Sequence, residues 1–101
     1  MPISVREEPA HHFQILVDGR FTCDAYHQFL DAVEWAIESS KSVTFDLHHT
    51  EYMEGSALGL FLIARSGLPH KNAILKVNQD SEIEEMLEAA NFDKLFAIQR
   101  A

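Results

Sequence analysis

The sequence has few cysteines, few basic residues and no long apolar segment. Its one cysteine, Cys23, can form no internal disulfide, so a reducing cytoplasm is the expected location. Eight basic residues stand against 16 acids, and the net charge of −8 disfavours nucleic acid and anionic lipid as partners. The longest apolar run, residues 57–64, is far shorter than the roughly 20 residues that cross a bilayer. The N-terminus, MPISVREEPAHH, lacks the basic start and apolar core of a secretory signal.

The sequence also lacks the common catalytic and ligand-binding motifs. It has no GxxxxGK[ST] phosphate loop and no CxxC pair, and Ser56 lies in EGSAL, not in G-x-S-x-G. The histidine pairs at 11–12 and 48–49 are expected on extended backbone, where neighbouring side chains point to opposite sides of a sheet. A hydrolase built on Ser56 would need His48 or His49 beside it as a base. We therefore expect no enzymatic activity, no bound metal and no cofactor.

What the sequence does have is ordinary globular composition, with 47% apolar and 24% charged residues. A chain of 101 residues suits one core, so we expect a single domain over residues 1–101 and a monomer. Residues 3–5 and 12–17 carry β-branched or aromatic side chains on either side of Pro9, a pattern that predicts a hairpin of two strands. Residues 18–21 (DGRF) predict a turn.

A helix is predicted over residues 25–38, where Thr22 or Asp24 can cap its first turn. Trp35 lies outside the apolar face of that helix, so it is either at the rim of the core or in contact with a partner. The face itself consists of residues at steps of three and four: Tyr26, Phe29, Leu30, Val33 and Ile37.

Two compact apolar segments, residues 42–47 and 73–77, predict buried strands, the first at the centre of the sheet. The helix that follows Ser56 should stop at Gly67 and Pro69. A capping box formed by Ser81 and Glu84 predicts a helix over residues 82–90 that ends in a left-handed turn at Asn91. Residues 95–98 predict a last strand. Alternating strands and helices predict a mostly parallel α/β sheet with right-handed crossovers.

Ser56 is the most informative single residue, because it stands directly before an apolar helix. It can be a helix cap that contributes about 1 kcal/mol. It can also be an exposed hydroxyl at a helix N-terminus, where a phosphate would be well tolerated. Glu54 either orients this loop through backbone hydrogen bonds or faces solvent.

Residues 43–47 (VTFDL) and 52–59 (YMEGSALG) resemble the signature of STAS domains of bacterial anti-sigma-factor antagonists, which contains D-S-S-G-L-G. Residues 19–21, 81–83 and 91–96 also match, so the resemblance covers nearly the whole chain. It implies a small STAS-like α/β domain with a mixed, mostly parallel sheet of four to five strands and three to four helices largely on one face.

The resemblance also implies a function. Such a domain binds an anti-sigma factor that is often also a serine kinase. Phosphorylation of a serine in the loop releases the anti-sigma factor, and a PP2C-type phosphatase restores binding. Here Glu54, Gly55 and Ala57 replace the family's aspartate, first serine and glycine. The S-A-L-G form is similar to single-domain regulators of flagellar and biofilm output in gammaproteobacteria, in which the serine that matches Ser56 takes the phosphate. This implies Ser56 as the phosphorylation site.

We expect the partner to dock on the loop and on the exposed side of the following helix. The alternative that the resemblance leaves open is a constitutive accessory subunit of an ABC-type lipid-transport ATPase. The expected partner-binding residues are Met53, Glu54, Gly55, Ser56, Ala57, Leu58 and Gly59.

Overall fold

The computed structural model describes residues 2–8, 12–39, 42–68 and 73–101, and these form seven strands and three α-helices. Short 3-10 turns at Cys23–Ala25 and Phe92–Lys94 precede α1 and β7. The elements in chain order are β1 (Ile3–Glu8), β2 (His12–Val17), β3 (Gly19–Phe21), α1 (Tyr26–Glu38), β4 (Ser42–Asp46), β5 (Thr50–Met53), α2 (Ala57–Gly67), β6 (Ala73–Val77), α3 (Glu82–Ala89) and β7 (Ala97–Arg100).

Five of the strands form one mixed sheet in the order β1-β2-β4-β6-β7. β1 pairs antiparallel with β2, and the other three pairings are parallel. The predicted hairpin, the mostly parallel sheet and the central position of β4 are therefore confirmed. Pro9, His11 and Pro69, on which parts of the prediction rest, lie outside the described residues.

One face of the sheet is apolar and carries the helices. Residues paired across parallel strands share a face, so Ile15, Phe45 and Leu75 lie side by side, and all three are fully buried. The ring of Phe45 contacts Phe29 of α1 and Phe61 of α2, with ring centroids 5.5 and 5.3 Å apart. These two helices therefore cover the apolar face.

The opposite face of the sheet is more polar and holds a hydrogen-bonded histidine. His12 lies opposite Ser42 on the neighbouring strand, and its Nδ1 is 2.7 Å from the Ser42 hydroxyl. Its Nε2 is 2.7 Å from the Thr44 hydroxyl. Both ring nitrogens thus join β2 to β4, a structural role that accounts for this histidine without a metal.

The prediction of a turn at residues 18–21 is wrong. Gly19–Phe21 form β3, which pairs parallel with β5 in a separate two-stranded sheet, and β5 has no counterpart in the predicted order. Both strands are too short to show a clear alternation, and they pair across about 30 residues of sequence. The consequence for the site is direct, because β5 ends at Met53, immediately before the loop that contains Ser56.

The helix predicted over residues 25–38 is confirmed as Tyr26–Glu38, but its predicted caps are wrong. Thr22 precedes the 3-10 turn without a side-chain cap bond, and Ala25, not Asp24, stands before α1. Trp35 is 52% exposed, and its ring contacts Phe13 at 5.3 Å between centroids. It therefore lies at the rim of the core, with one side open to a partner.

The last part of the chain differs from its prediction in two details. Ser81 Oγ accepts the N–H of Glu84 as predicted, but the Glu84 carboxylate accepts the N–H of Asp80 and binds Arg100, so the capping box is only half formed. The Glu84 carboxylate raises the pKa of Arg100 through this hydrogen bond. The last strand is Ala97–Arg100, not residues 95–98.

The shift of the last strand has a packing cause. Phe92 and Phe96 are both buried, with ring centroids 5.3 Å apart, so the 3-10 turn and the residues after it are used for the core before β7 begins. The left-handed turn predicted at Asn91 is confirmed by its φ of 59°. The end of α2 at Gly67 is also confirmed. None of the described helices is long and apolar enough to cross a membrane.

Candidate functional site

The loop between β5 and α2 places its serine at the surface. Gly55 and Ser56 are exposed and Glu54 is half-buried. The residues on either side of the loop, Met53 and Ala57, are buried and anchor it to the core. Of the other expected partner-binding residues, Leu58 is half-buried and Gly59 is exposed.

Ser56 stands at the N-cap position of α2, but its hydroxyl does not cap the helix, so the capping interpretation of the sequence is wrong. Its backbone is helical (φ −64°, ψ −21°), and its side chain makes no cap hydrogen bond. The first N–H groups of α2 are instead satisfied by carbonyls three residues back. Ala57 donates to Glu54 at 3.0 Å and Leu58 donates to Gly55 at 3.1 Å. The Gly59 N–H donates to Ser56 at 3.2 Å. Because these carbonyls satisfy the first helix amides, the Ser56 hydroxyl is available for a hydrogen bond to another group.

The hydrogen-bond partner of the Ser56 hydroxyl is the phenol of Tyr26, at 2.7 Å. Tyr26 is the first residue of α1, and its ring packs edge-on against Phe21, with centroids 5.5 Å apart and an angle of 88°. Periodicity assigned Tyr26 to the core face of the helix. Its contact with Ser56 joins segments 30 residues apart, and no local pattern in the sequence indicates it.

His48 and His49 lie in the turn after β4, so their prediction on extended backbone is wrong. The His48 N–H donates to Asp46 Oδ1 at 2.9 Å, and this bond fixes the turn. Neither histidine is the partner of Ser56. Across the described ranges, no three His, Cys, Asp or Glu side chains converge on a point where a metal ion could bind.

Glu54 orients the loop through backbone hydrogen bonds. Its Oε1 accepts the N–H of Cys23 at 3.0 Å, and its own N–H donates to the carbonyl of Phe21 at 3.1 Å. With the bond between Tyr26 and Ser56, three hydrogen bonds connect residues 54–56 to residues 21–26. We call these three bonds the loop clamp. They fix the loop against the start of α1.

An exposed surface with apolar and small residues begins at the loop and continues along α2. Ser56, Gly59 and Ile63 follow one another at helical steps of three and four residues, so they lie on one face of the helix. Ile63 is 58% exposed and Leu62 is 42% exposed. We call this set of residues the 55–63 surface: Gly55, Ser56, Gly59, Leu62 and Ile63.

The two glycines of the 55–63 surface are not required by packing inside the molecule. A Cβ atom added at Gly55 or Gly59 would meet no atom within 4 Å, and neither residue has a positive φ. Gly19, by contrast, has a φ of 78° that favours glycine. Because glycine has no side chain, the backbone at Gly55 and Gly59 is accessible from the surface.

Comparison with known proteins identifies the family. A STAS-domain containing protein of Pseudomonas aeruginosa (strain UCBPP-PA14) is 33% identical over 85 residues, which are 83% of this chain and 84% of the relative. The chain belongs to the STAS-domain family. No family model matches it.

Solved structures share the STAS fold at low sequence identity. An anti-sigma factor antagonist from Mycobacterium paratuberculosis superposes with a TM-score of 0.83 at 13% identity, over 96% of this chain and 83% of that one. The anti-sigma factor antagonist SpoIIAA in its unphosphorylated form gives 0.76 at 16% identity, over 98% and 88%. SpoIIAA of Bacillus in the phosphorylated form gives 0.71 at 13% identity, over 95% and 89%. These likenesses confirm the predicted STAS-like α/β fold.

Proposed function

We propose that this STAS domain is an anti-sigma factor antagonist whose binding is switched by phosphorylation of Ser56. The observation that carries the proposal is an exposed serine hydroxyl at one end of an exposed, partly apolar helix face, the 55–63 surface. Unphosphorylated, the domain binds an anti-sigma factor that is also a serine kinase. That kinase phosphorylates Ser56 and is released, and a PP2C-type phosphatase restores binding. Structural neighbours that are anti-sigma factor antagonists support this assignment.

The expected partner-binding residues divide into two roles. Gly55 and Gly59 would let partner backbone approach closely, and Leu58, at the side of the helix, would extend the contact. Met53 and Ala57 are buried, so they would act by holding the loop in place. Glu54 would do the same through the loop clamp. Ile63 and Leu62 would supply most of the apolar area that the partner covers.

A phosphate on Ser56 would weaken binding by charge. It adds about −1.5 to −2 charges to a surface residue of a chain that already carries −8. A partner that covers Ser56 must desolvate this dianion, and any acidic group that faces it across the interface adds repulsion of several kcal/mol. Each 1.4 kcal/mol is about a factor of ten in Kd, so one phosphate is expected to reduce affinity by about a hundredfold.

The first experiment identifies the partner. The tagged domain is used to capture proteins from the cells that produce the domain. The control variant is Ile63→Glu, which adds a charge to the 55–63 surface at an exposed position and is expected to keep the fold. An anti-sigma factor or histidine-kinase-like ATPase retained by the wild type and lost by the control supports the proposal. An ABC-type ATPase in its place would support the constitutive transport subunit instead.

The second experiment tests the switch with the captured kinase. Incubation with ATP should add about 80 Da to the wild type and nothing to Ser56→Ala. The matched control is Ser66→Ala, which removes an exposed serine near the other end of α2 whose hydroxyl donates to the carbonyl of Ile63. A mass gain that persists in Ser56→Ala, or equal affinities of the phosphorylated and unmodified domains, would exclude the switch at Ser56.

Cytoplasmic location and the monomeric state stay predictions.

A further inference from the structure

The bond between Tyr26 and Ser56 bears on how a phosphate would be held, a question that rests on the proposed phosphorylation of Ser56. The two hydroxyls are 2.7 Å apart, and either of them can be the donor. Transfer of the γ-phosphoryl group of ATP to Ser56 Oγ forms an O–P bond, breaks the bond to ADP and releases the hydroxyl proton. Afterwards Oγ has no hydrogen to donate. Only the Tyr26 hydroxyl could then be the donor of this pair.

The N–H groups of the first turn of α2 are already occupied. A phosphate at a helix start normally binds free backbone N–H groups. Here the N–H groups of residues 57–59 donate to the carbonyls of residues 54–56. Among the described residues, no Lys or Arg side chain forms a hydrogen bond or an ion pair with residues 54–56. The guanidinium of Arg20 lies over the ring of Tyr52. The exposed N–H groups of Gly55 and Ser56 have no backbone acceptor among the described residues and can also bind a phosphate. Among the described side chains, the Tyr26 hydroxyl is the donor already in contact with Ser56 Oγ.

We propose that the Tyr26 hydroxyl receives the phosphate on Ser56, donating a hydrogen bond to a phosphoryl oxygen where it now bonds the serine. The phenol is positioned for this before modification. Its ring is half-buried against Phe21, and it lies at the first residue of α1, next to the 3-10 turn that the loop clamp engages. Holding the ring costs little additional entropy, because packing has already fixed it.

A phosphate held by Tyr26 stays at the junction of α1 and α2. The hydrogen bonds of Glu54 to Cys23 and Phe21 do not involve Ser56, so the rest of the loop clamp is retained. The phosphorylated domain would therefore keep its loop geometry. It would reject the partner by charge and bulk, not by refolding of the loop.

The test places phosphoserine at position 56 during translation, so it needs neither kinase nor partner. The second ionisation of the phosphate is followed by 31P NMR in the wild-type background, in Tyr26→Phe and in Tyr52→Phe. A hydrogen bond that favours the dianion lowers the phosphate pKa below its usual value near 6, so the loss of this bond in Tyr26→Phe should raise that pKa by about half a unit relative to the wild-type background. Glu54 repels the phosphate equally in all three proteins, so the difference isolates the phenol.

Tyr52→Phe is the matched control, because Tyr52 is the chain's other tyrosine and its ring lies under Arg20 on the neighbouring strand pair. It should leave the phosphate pKa unchanged. Equal pKa values in the phosphorylated wild type and Tyr26→Phe would overturn the proposal. A structural role of the tyrosine alone would change the melting temperature but not the phosphate titration.

A second measurement needs no substitution at Tyr26. With tyrosine labelled at 13Cζ, the Tyr26 resonance of the phosphoserine protein should move with pH through the phosphate titration, and the Tyr52 resonance should not. A Tyr26 chemical shift that does not change through the phosphate titration would also overturn the proposal. Both results are independent of partner binding. If phosphoserine at position 56 left the affinity for the partner unchanged, the proposed switch would be wrong. The hydrogen bond between Tyr26 and the phosphate would still be supported by the two titrations.

Discussion

Two serines that precede helices use their hydroxyls differently. Ser81 Oγ accepts the N–H of Glu84 at the start of α3, and Ser56 Oγ makes no such bond at the start of α2. Ser81→Ala should therefore destabilise the domain by about 1 kcal/mol, the usual cost of a lost cap. Ser56→Ala should cost only a few tenths, because it loses one exposed bond to Tyr26. Urea unfolding of both variants measures this. A larger cost for Ser56→Ala would contradict the assignment.

The side chain of Glu54 is expected to matter as a hydrogen-bond acceptor more than as a charge. Its Oε1 accepts the Cys23 N–H at an exposed position. Glu54→Gln keeps an acceptor oxygen at the same distance from the backbone, and Glu54→Ala removes it. We expect the Cys23 amide to exchange about fivefold faster in Glu54→Ala, corresponding to about 1 kcal/mol, and near the wild-type rate in Glu54→Gln. Equal acceleration in both variants would show that charge is the cause.

At the scale of elements, the sequence predicted those whose signal is local. The buried strands and the amphipathic helices were found because apolar residues recur within each segment, as in β4 and α1. β3 and β5 were missed because three- and four-residue strands carry little periodicity and are defined by each other. The start of β7 was misplaced because an apolar segment was interpreted as a strand. Phe96 is apolar because it packs with Phe92 in the core before the strand begins.

The candidate site shows the same division between local and distant contacts. The loop, its exposed serine and the helix after it could be predicted from residues 52–65 alone. Tyr26, Phe21 and Cys23 could not be placed at the loop, because their contacts with Glu54 and Ser56 cross about 30 residues and depend on the pairing of β3 with β5. Of the two interpretations of Ser56, the cap was wrong, because a serine before a helix looks the same in sequence whether or not carbonyls have already satisfied the helix amides.

At the scale of the whole molecule, one aromatic cluster connects the site to the sheet. Phe61 of α2 contacts Phe21, Phe29 and Phe45, with ring centroids between 5.3 and 5.8 Å apart. All four rings are fully buried. Phe21 also supplies the carbonyl that holds the Glu54 N–H. The core that stabilises the fold is thus the same structure that positions the loop.

Phe61 and Ile63 lie two residues apart on α2 and face opposite environments, so substitutions there should separate stability from binding. Phe61→Leu leaves a space inside the aromatic cluster and should lower the free energy of unfolding by about 1–2 kcal/mol. Ile63→Ala removes a side chain that is 58% exposed and should change stability by less than about 0.5 kcal/mol.

Binding to the captured partner should show the reverse pattern. Ile63→Ala should weaken the affinity of the unphosphorylated domain about tenfold, because truncation of a central apolar contact commonly costs more than 1 kcal/mol. Phe61→Leu, measured well below its melting temperature, should bind like the wild type, since its ring is buried and cannot touch the partner. Calorimetric titration beside urea unfolding gives both quantities for each variant. If Ile63→Ala bound normally while Phe61→Leu did not, the partner would recognise the domain elsewhere than on the 55–63 surface.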